Sequence, residues 1–268
     1  MKNMMSFVFV VVAIYIGSSV FLYLFQRSLM YHPSSAHLDP AAFGVAEMEI
    51  VKVETADGLS LTAWYRAPQN DDAPTLLYLH GNAGHIGYRA GKVRPYLEAG
   101  YGVLLLSYRG YGTNHGYPTE QNLYKDGQAA LAFLADKQIP IFKTIIYGES
   151  LGAGVAVEIA QNKAIFGLVL EAPFSSMVDA ASHHFKFFPA ALIVRDKYDS
   201  LSKISNIKAP VLILHGLKDR TVPAHLGRKL YDAAPSPKEF YEFPEAGHNN
   251  LYEYGAPERV IAFLEVNS

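Results

Sequence analysis

The sequence contains no cysteine, which excludes a disulfide framework, a thiolate metal site and a cysteine nucleophile, and is compatible with either redox compartment. It also lacks a charge bias. Its 23 Lys and Arg stand against 25 Asp and Glu, a formal net charge of -2 with no long run of one sign. A nucleic-acid binder needs a basic face to neutralise phosphates, so nucleic acid is not an expected partner. No internal repeat or low-complexity segment divides the chain. What remains is 268 residues, 50% of them hydrophobic, enough to bury one substantial core. One α/β domain with an appendage fits this length better than two domains.

The appendage is N-terminal. Residues 4–25 carry no charged side chain, and 22 residues at about 1.5 Å each make a helix of about 33 Å, enough to cross a bilayer core of about 30 Å. A cleavable signal peptide is the rival reading, since Lys2 supplies a positive start and Gly17-Ser18-Ser19 small residues. Residues 20–25 stay apolar beyond that point, which favours an uncleaved anchor. Lys2 and Arg27 flank the stretch almost symmetrically, so the positive-inside rule barely discriminates. The short N-terminal tail favours a cytoplasmic tail with the remaining domain on the non-cytoplasmic side. The expected division is an anchor over 1–28 and one domain over 29–268, with a linker from residue 26 broken by Pro33 and Pro40.

Within the domain, residues 48–55 and 59–66 are β-rich runs around Asp57-Gly58, a hairpin signal. From residue 75 the rhythm changes to short apolar strands at 75–79, 103–107, 144–147, 168–171, 211–215 and 239–243. Helical stretches near 88–98, 120–137, 151–162, 224–233 and 257–266 lie between and after them. Strands apolar on both faces and spaced by helices predict a mostly parallel sheet covered on both sides. Such a sheet gathers its functional groups at the carboxyl ends of its strands.

Those ends carry reactive side chains. Gly148-Glu149-Ser150-Leu151-Gly152 sits at a strand-to-helix corner and predicts a turn so tight that Ser150 is strained and its hydroxyl projects from the sheet. Serine is a weak nucleophile unless a base lies within hydrogen-bond reach and an acceptor holds that base in one tautomer. His248, in the loop after the last strand, is the expected base. Asp219, four residues beyond the strand at 211–215, is the expected acceptor, with Glu171 as its competitor. The backbone N–H groups of Leu151 and Asn82 are the expected oxyanion donors. Gly81, Gly84 and Gly87 lack dinucleotide-binding spacing, and His183-His184 has no carboxylate at a convincing separation for a metal. No cofactor or metal is expected. Arg109, in Tyr108-Arg109-Gly110-Tyr111-Gly112, reads as structural.

Taken with His80-Gly81-Asn82-Ala83-Gly84, the run 210–219 and Gly247-His248, these motifs resemble the α/β-hydrolase superfamily, within it the membrane-anchored ABHD-type serine hydrolases and their bacterial relatives. The likeness covers roughly residues 30–268. It implies the α/β-hydrolase fold with a short cap, about 174–201, and hydrolysis of an ester, thioester or amide through an acyl-enzyme at Ser150, His248 and Asp219. Ser107 departs from the Asp that relatives often carry before Tyr-Arg-Gly. The expected substrate is a carboxylic ester, thioester or lipid. The alternatives are a serine aminopeptidase-like amidase and a catalytically silent, membrane-anchored interaction module. Phe185, Phe187, Phe188, Leu192 and Ile193 in the cap segment are expected either to pack the cap or to line an apolar acyl pocket.

Overall fold

A computed structural model of the chain describes residues 2–36 and 39–267. Among them, eight strands form one sheet: β1 (Glu49–Glu54), β2 (Ser60–Arg66), β3 (Thr75–Leu79), β4 (Gly102–Leu106), β5 (Thr144–Glu149), β6 (Gly167–Glu171), β7 (Val211–Gly216) and β8 (Lys238–Phe243). Their spatial order is β8-β7-β6-β5-β3-β4-β2-β1. From β3 to β8 all neighbours are parallel, while β1 and β2 form an antiparallel edge. The β1–β2 turn is the expected one: Gly58 has φ +84°, and Leu59 N–H donates to Thr55 Oγ1 at 2.9 Å.

The continuous apolar strands are explained by which face each residue meets. Leu77, Leu79, Leu104, Leu106, Ile146, Leu168 and Leu170 are buried on one face with residues of α3 (Glu120–Asp136) and α4 (Leu151–Ala160). Their neighbours Leu76, Tyr78, Val103, Leu105, Ile145, Tyr147 and Val169 are buried on the other with α2 (Ala90–Glu98) and the helix Ala256–Val266. Alternate side chains point to opposite faces, so covering both demands an unbroken apolar run.

The N-terminal helix α1 runs Lys2–Met30, and residues 3–30 are long and apolar enough to cross a membrane. The side chain of Lys2, on which the orientation expectation leans, lies outside the described residues. The linker expected from residue 26 is corrected here: the helix continues to Met30, then lies against the body of the fold. His32 and Pro33 pair in parallel with Ala83 and Gly84, and His32 N–H donates to Asn82 O at 2.9 Å. The helix end is bolted to the segment after β6. Gln26 Nε2 donates to Ile193 O at 2.9 Å, and Arg27 makes a two-pronged ion pair with Asp196 at 2.9 and 3.0 Å. Tyr31 donates to the same carboxylate at 3.0 Å. That segment, expected as the short cap, holds two short helices, α5 (Met177–His184) and α6 (Ala190–Ile193).

Candidate active site

Ser150 follows β5 with φ +51° and ψ -112°, a conformation that costs a non-glycine residue about 1–3 kcal/mol. Its surroundings enforce the strain. Ser150 N–H donates to Glu171 O at 2.8 Å, and α4 begins at the next residue. Glycine is required on both sides for closeness of approach. A Cβ on Gly148 would lie 2.5 Å from Ala153 Cα, and one on Gly152 would lie 2.1 Å from Leu79 O. Both obstacles are backbone and cannot swing aside. Gly152→Ala is therefore expected to destabilise the fold by about 3 kcal/mol or more, read as a lower urea midpoint at unchanged slope; an unchanged midpoint would refute the clash.

The register of the sheet then brings distant loops to Ser150. Leu79 at the end of β3 faces Gly148, placing His80-Gly81-Asn82 beside the corner. The end of β7 interlocks with the loop after β8: a Cβ on Gly216 would lie 2.4 Å from Ala246 O, to which Lys218 N–H donates at 2.9 Å. His248 Nε2 consequently lies 2.9 Å from Ser150 Oγ, and His248 Nδ1 lies 2.7 Å from Asp219 Oδ2. A carboxylate can only accept, so Nδ1 carries the proton and Nε2 is left to accept from the hydroxyl.

Asp219 is held from several sides. Its Oδ1 accepts from the N–H groups of Thr221 and Val222, each at 2.8 Å. His215, fully buried, completes the set: its Nε2 lies 2.8 Å from Val222 O and 3.4 Å from Asp219 Oδ2. A carbonyl accepts only, so His215 is protonated on Nε2. Burial pushes the Asp219 pKa up, but the hydrogen bonds from His215, His248 and Val222 outweigh it, and the net shift is well below the usual carboxylate range. His215 escaped the sequence reading; its one signal is a histidine in the last strand position before Gly216. Glu171, weighed as a competitor, is fully buried and engaged elsewhere, accepting from Lys92 and Tyr147 at 2.6 Å each.

Leu151 and Asn82 both line the cavity above Ser150. Among the described residues neither backbone N–H has a hydrogen-bond partner. The Asn82 loop is pinned by its other groups: Asn82 Nδ2 donates to Met30 O at 2.7 Å, and Asn82 O accepts from Tyr111 Oη at 2.7 Å. His80 Nδ1 donates to Gly81 O at 2.7 Å, and burial first, then the nearby Arg89 charge, lowers the His80 pKa to about 3. Arg89 bridges the two halves of the site, donating to Glu149 at 3.0 and 3.1 Å and to Ala83 O at 2.8 Å. Arg109 is structural in its contacts, paired with Asp126 and Asp57.

The cavity, about 400 Å³, is lined by α1 as well as the cap: Leu22, Leu29 and Met30 from the helix, Met177, Phe185 and Phe188 from the other side. Of the cap residues weighed for an acyl pocket, Phe185, Phe188 and Ile193 line it; Phe187 and Leu192 do not, and are 88% and 80% exposed. No acidic residue lines the cavity among those described.

A mostly parallel sheet with a strained serine at the β5–α4 corner, linked through an imidazole to a buried carboxylate, defines a serine hydrolase of the α/β fold. Comparison with known proteins narrows this. A family profile described as "Serine aminopeptidase, S33" matches residues 71–198. The α/β-hydrolase domain-containing protein WAV2 of Arabidopsis thaliana is 32% identical over 269 residues, covering 90% of this chain and 87% of that protein. The lysophosphatidylserine lipase ABHD12 of Danio rerio is 32% identical over 223 residues, covering 73% of this chain and 58% of that protein. An esterase of Pyrococcus furiosus shares the fold at TM-score 0.70 with 20% identity, covering 88% of this chain and 98% of that one. The chain belongs to the ABHD-type α/β-hydrolase family.

Proposed function

We propose that the chain hydrolyses the carboxylic ester or thioester of a single-chain amphiphile through an acyl-enzyme on Ser150. The observation that carries this is the unbroken path from Ser150 Oγ through His248 to Asp219, opening into an apolar cavity. In the reaction Ser150 Oγ attacks the acyl carbonyl while His248 Nε2 takes its proton. The tetrahedral oxyanion forms against the N–H groups of Leu151 and Asn82, and Asp219 stabilises the imidazolium. The imidazolium then protonates the departing alkoxide or thiolate. A water, deprotonated by the same nitrogen, releases the acid and restores Ser150.

The cavity chooses among acyl donors. Near the lower end of the range for small-molecule sites, about 300–1,000 Å³, it suits one acyl chain better than two. An aminopeptidase must hold the ammonium of its substrate, and no acidic side chain lines the cavity among the described residues. The name of the Danio rerio relative, a lysophosphatidylserine lipase, supports a lipid ester. We read α1 as a membrane anchor on its length and apolar composition. Its last turns also serve the hydrolase domain, so the two units overlap near residues 22–30.

Fluorophosphonate labelling of the purified chain tests this reading, followed by hydrolysis of p-nitrophenyl esters from acetate to palmitate. Labelling is expected in the wild type and absent in Ser150→Ala, with rates rising from acetate towards medium and long chains. Well-folded wild-type protein that does not label would favour the silent interaction module, and a flat chain-length profile would remove the acyl cavity.

A further inference from the structure

The geometry points to α1 as part of the substrate site: its residues 17–22, with Phe185 and Phe188 of the cap, form a groove through which the acyl chain of an ester reaches Ser150 directly from the bilayer. This rests on the esterase reading above. It adds the route by which substrate arrives and the residues that select for it.

Beside the cavity over Ser150 lies a second one of about 340 Å³, lined by Gly17, Ser18, Phe21, Leu22, Phe185 and Phe188. The two share Leu22, Phe185 and Phe188, so they meet at those side chains. Every α1 residue of the second cavity falls inside the uncharged stretch 4–25. At about 1.5 Å per residue, Gly17 stands roughly 12 Å from Phe25 towards the middle of that stretch. If α1 crosses a bilayer, the groove opens at a depth occupied by acyl chains. An entrance facing water would be lined differently.

The cap follows the helix to the same depth. Phe188 stacks on Tyr15 with ring centroids 5.5 Å apart and planes 7° from parallel. Phe187 and Leu192 stand exposed on the cap outside the cavity, a face that costs least when it rests in lipid. Polar groups collect at the other end of the helix: Arg27 pairs with Asp196, and the Arg195 guanidinium lies over the Tyr23 ring at 5.6 Å. Charges and aromatic rings at this level match the headgroup boundary. The ester of a bilayer lipid sits just beneath that boundary, and the Asn82 loop beside Ser150 is tied to Met30 O, three residues past Arg27, so the ester has about 5 Å to rise along the helix to reach the site. The occupant the groove fits is therefore the hydrocarbon chain of a bilayer-resident ester, with the helix as its guide rail.

Gly17 offers a clean test. Gly17 lines the groove and a Cβ there meets nothing within 4 Å, so a side chain can be started at that wall without a backbone clash, and leucine forms helix more readily than glycine. Full-length wild type, Gly17→Leu and Leu22→Trp would be reconstituted in phosphatidylcholine vesicles. Each would be assayed on 1-oleoylglycerol in the membrane and on p-nitrophenyl acetate in the water. In both variants the ratio of kcat/KM for the oleoyl ester to that for the acetate is expected to fall about tenfold, the scale by which a blocked apolar subsite discriminates. A ratio within about twofold of wild type in both variants overturns the groove. A fall in Leu22→Trp alone places the chain in the cavity but rejects entry from the bilayer. Wild type that hydrolyses neither ester fails the esterase reading itself, an outcome distinct from either.

Discussion

Ser150→Ala is expected to lower kcat on every ester by about 10⁶-fold, and Asp219→Asn by about 10⁴-fold, with KM little changed in both. The larger loss follows because no other hydroxyl is linked to His248; Oγ at 2.9 Å from Nε2 is the only proton donor within reach of that nitrogen among the described residues. The smaller loss has a different origin. Asp219 Oδ2 accepts from His248 Nδ1, while Oδ1 accepts from Thr221 and Val222. An asparagine would keep its oxygen on the two backbone N–H groups and turn its amide towards His248. Nδ1 would then have to accept, the proton would move to Nε2, and Nε2 could no longer take the serine proton. Single-turnover kinetics separate the two variants: Ser150→Ala forms no acyl-enzyme, whereas Asp219→Asn forms it slowly. Residual activity of Ser150→Ala above about 1% would move the nucleophile elsewhere, since loss of a true nucleophile leaves far less.

Arg89→Met is expected to destabilise the fold by about 3 kcal/mol, the low end for breaking a buried pair, because it removes two hydrogen bonds to the Glu149 carboxylate and leaves Lys92 as its remaining cation. Glu149 and Arg89 side chains are 8% and 11% exposed, and they meet through two hydrogen bonds beneath the serine corner. Tyr78 donates to the same carboxylate at 2.9 Å, and Lys92 lies 3.5 Å away. The expected Tm falls by roughly 6–12 °C for a domain of this size. Glu149→Gln combined with Arg89→Met should recover part of that loss, since the under-paired buried charge is then gone. Equal Tm values for the single and double variants would contradict this.

The same pair sets an acid dependence. Burial raises the Glu149 pKa, but Lys92, Arg89 and the hydrogen bonds from Arg89 and Tyr78 lower it further, and the net shift is downward. A carboxyl with a depressed folded pKa stabilises fully above its unfolded value, near 4.3, and the contribution is lost as pH falls through the folded pKa. Asp219, also depressed, acts in the same direction. Stability should thus decline below about pH 5 in the wild type and less steeply in Arg89→Met, where Glu149 loses a principal cause of its shift. Arg89 also holds Ala83 O, next to Asn82, so the variant should lose kcat more than KM even at temperatures where it is folded.

The features legible in the chain were those written within a few residues. Steric demand at the serine corner fits into Gly148-Glu149-Ser150-Leu151-Gly152, and the structure shows its cause in backbone contacts of 2.5 and 2.1 Å. Strand and helix positions followed from apolar periodicity, and the order of reactive residues at strand ends followed from the parallel sheet. Ser150, Asp219 and His248 are in fact brought within hydrogen-bond distance. What could not be read were pairings between residues far apart. His215 was a strand residue until Val222 and Asp219 folded back onto it. Arg89 falls in the helical stretch near 88–98 with nothing local to mark β5 setting Glu149 beside it, and Gln26 lies where the local pattern reads as linker.

By itself, then, the sequence determined the class of fold, the membrane-length helix and the residues at each strand end, because periodicity and local sterics act over a single element. Only the tertiary structure decided that this helix continues to Met30 and walls the cavity, that Phe185 and Phe188 line it while Phe187 and Leu192 face outward, and that Asp219 is clasped by two imidazoles. Those outcomes depend on which surfaces of separate elements meet, and contacts such as Gln26 with Ile193 join positions 167 residues apart, a separation no local pattern records.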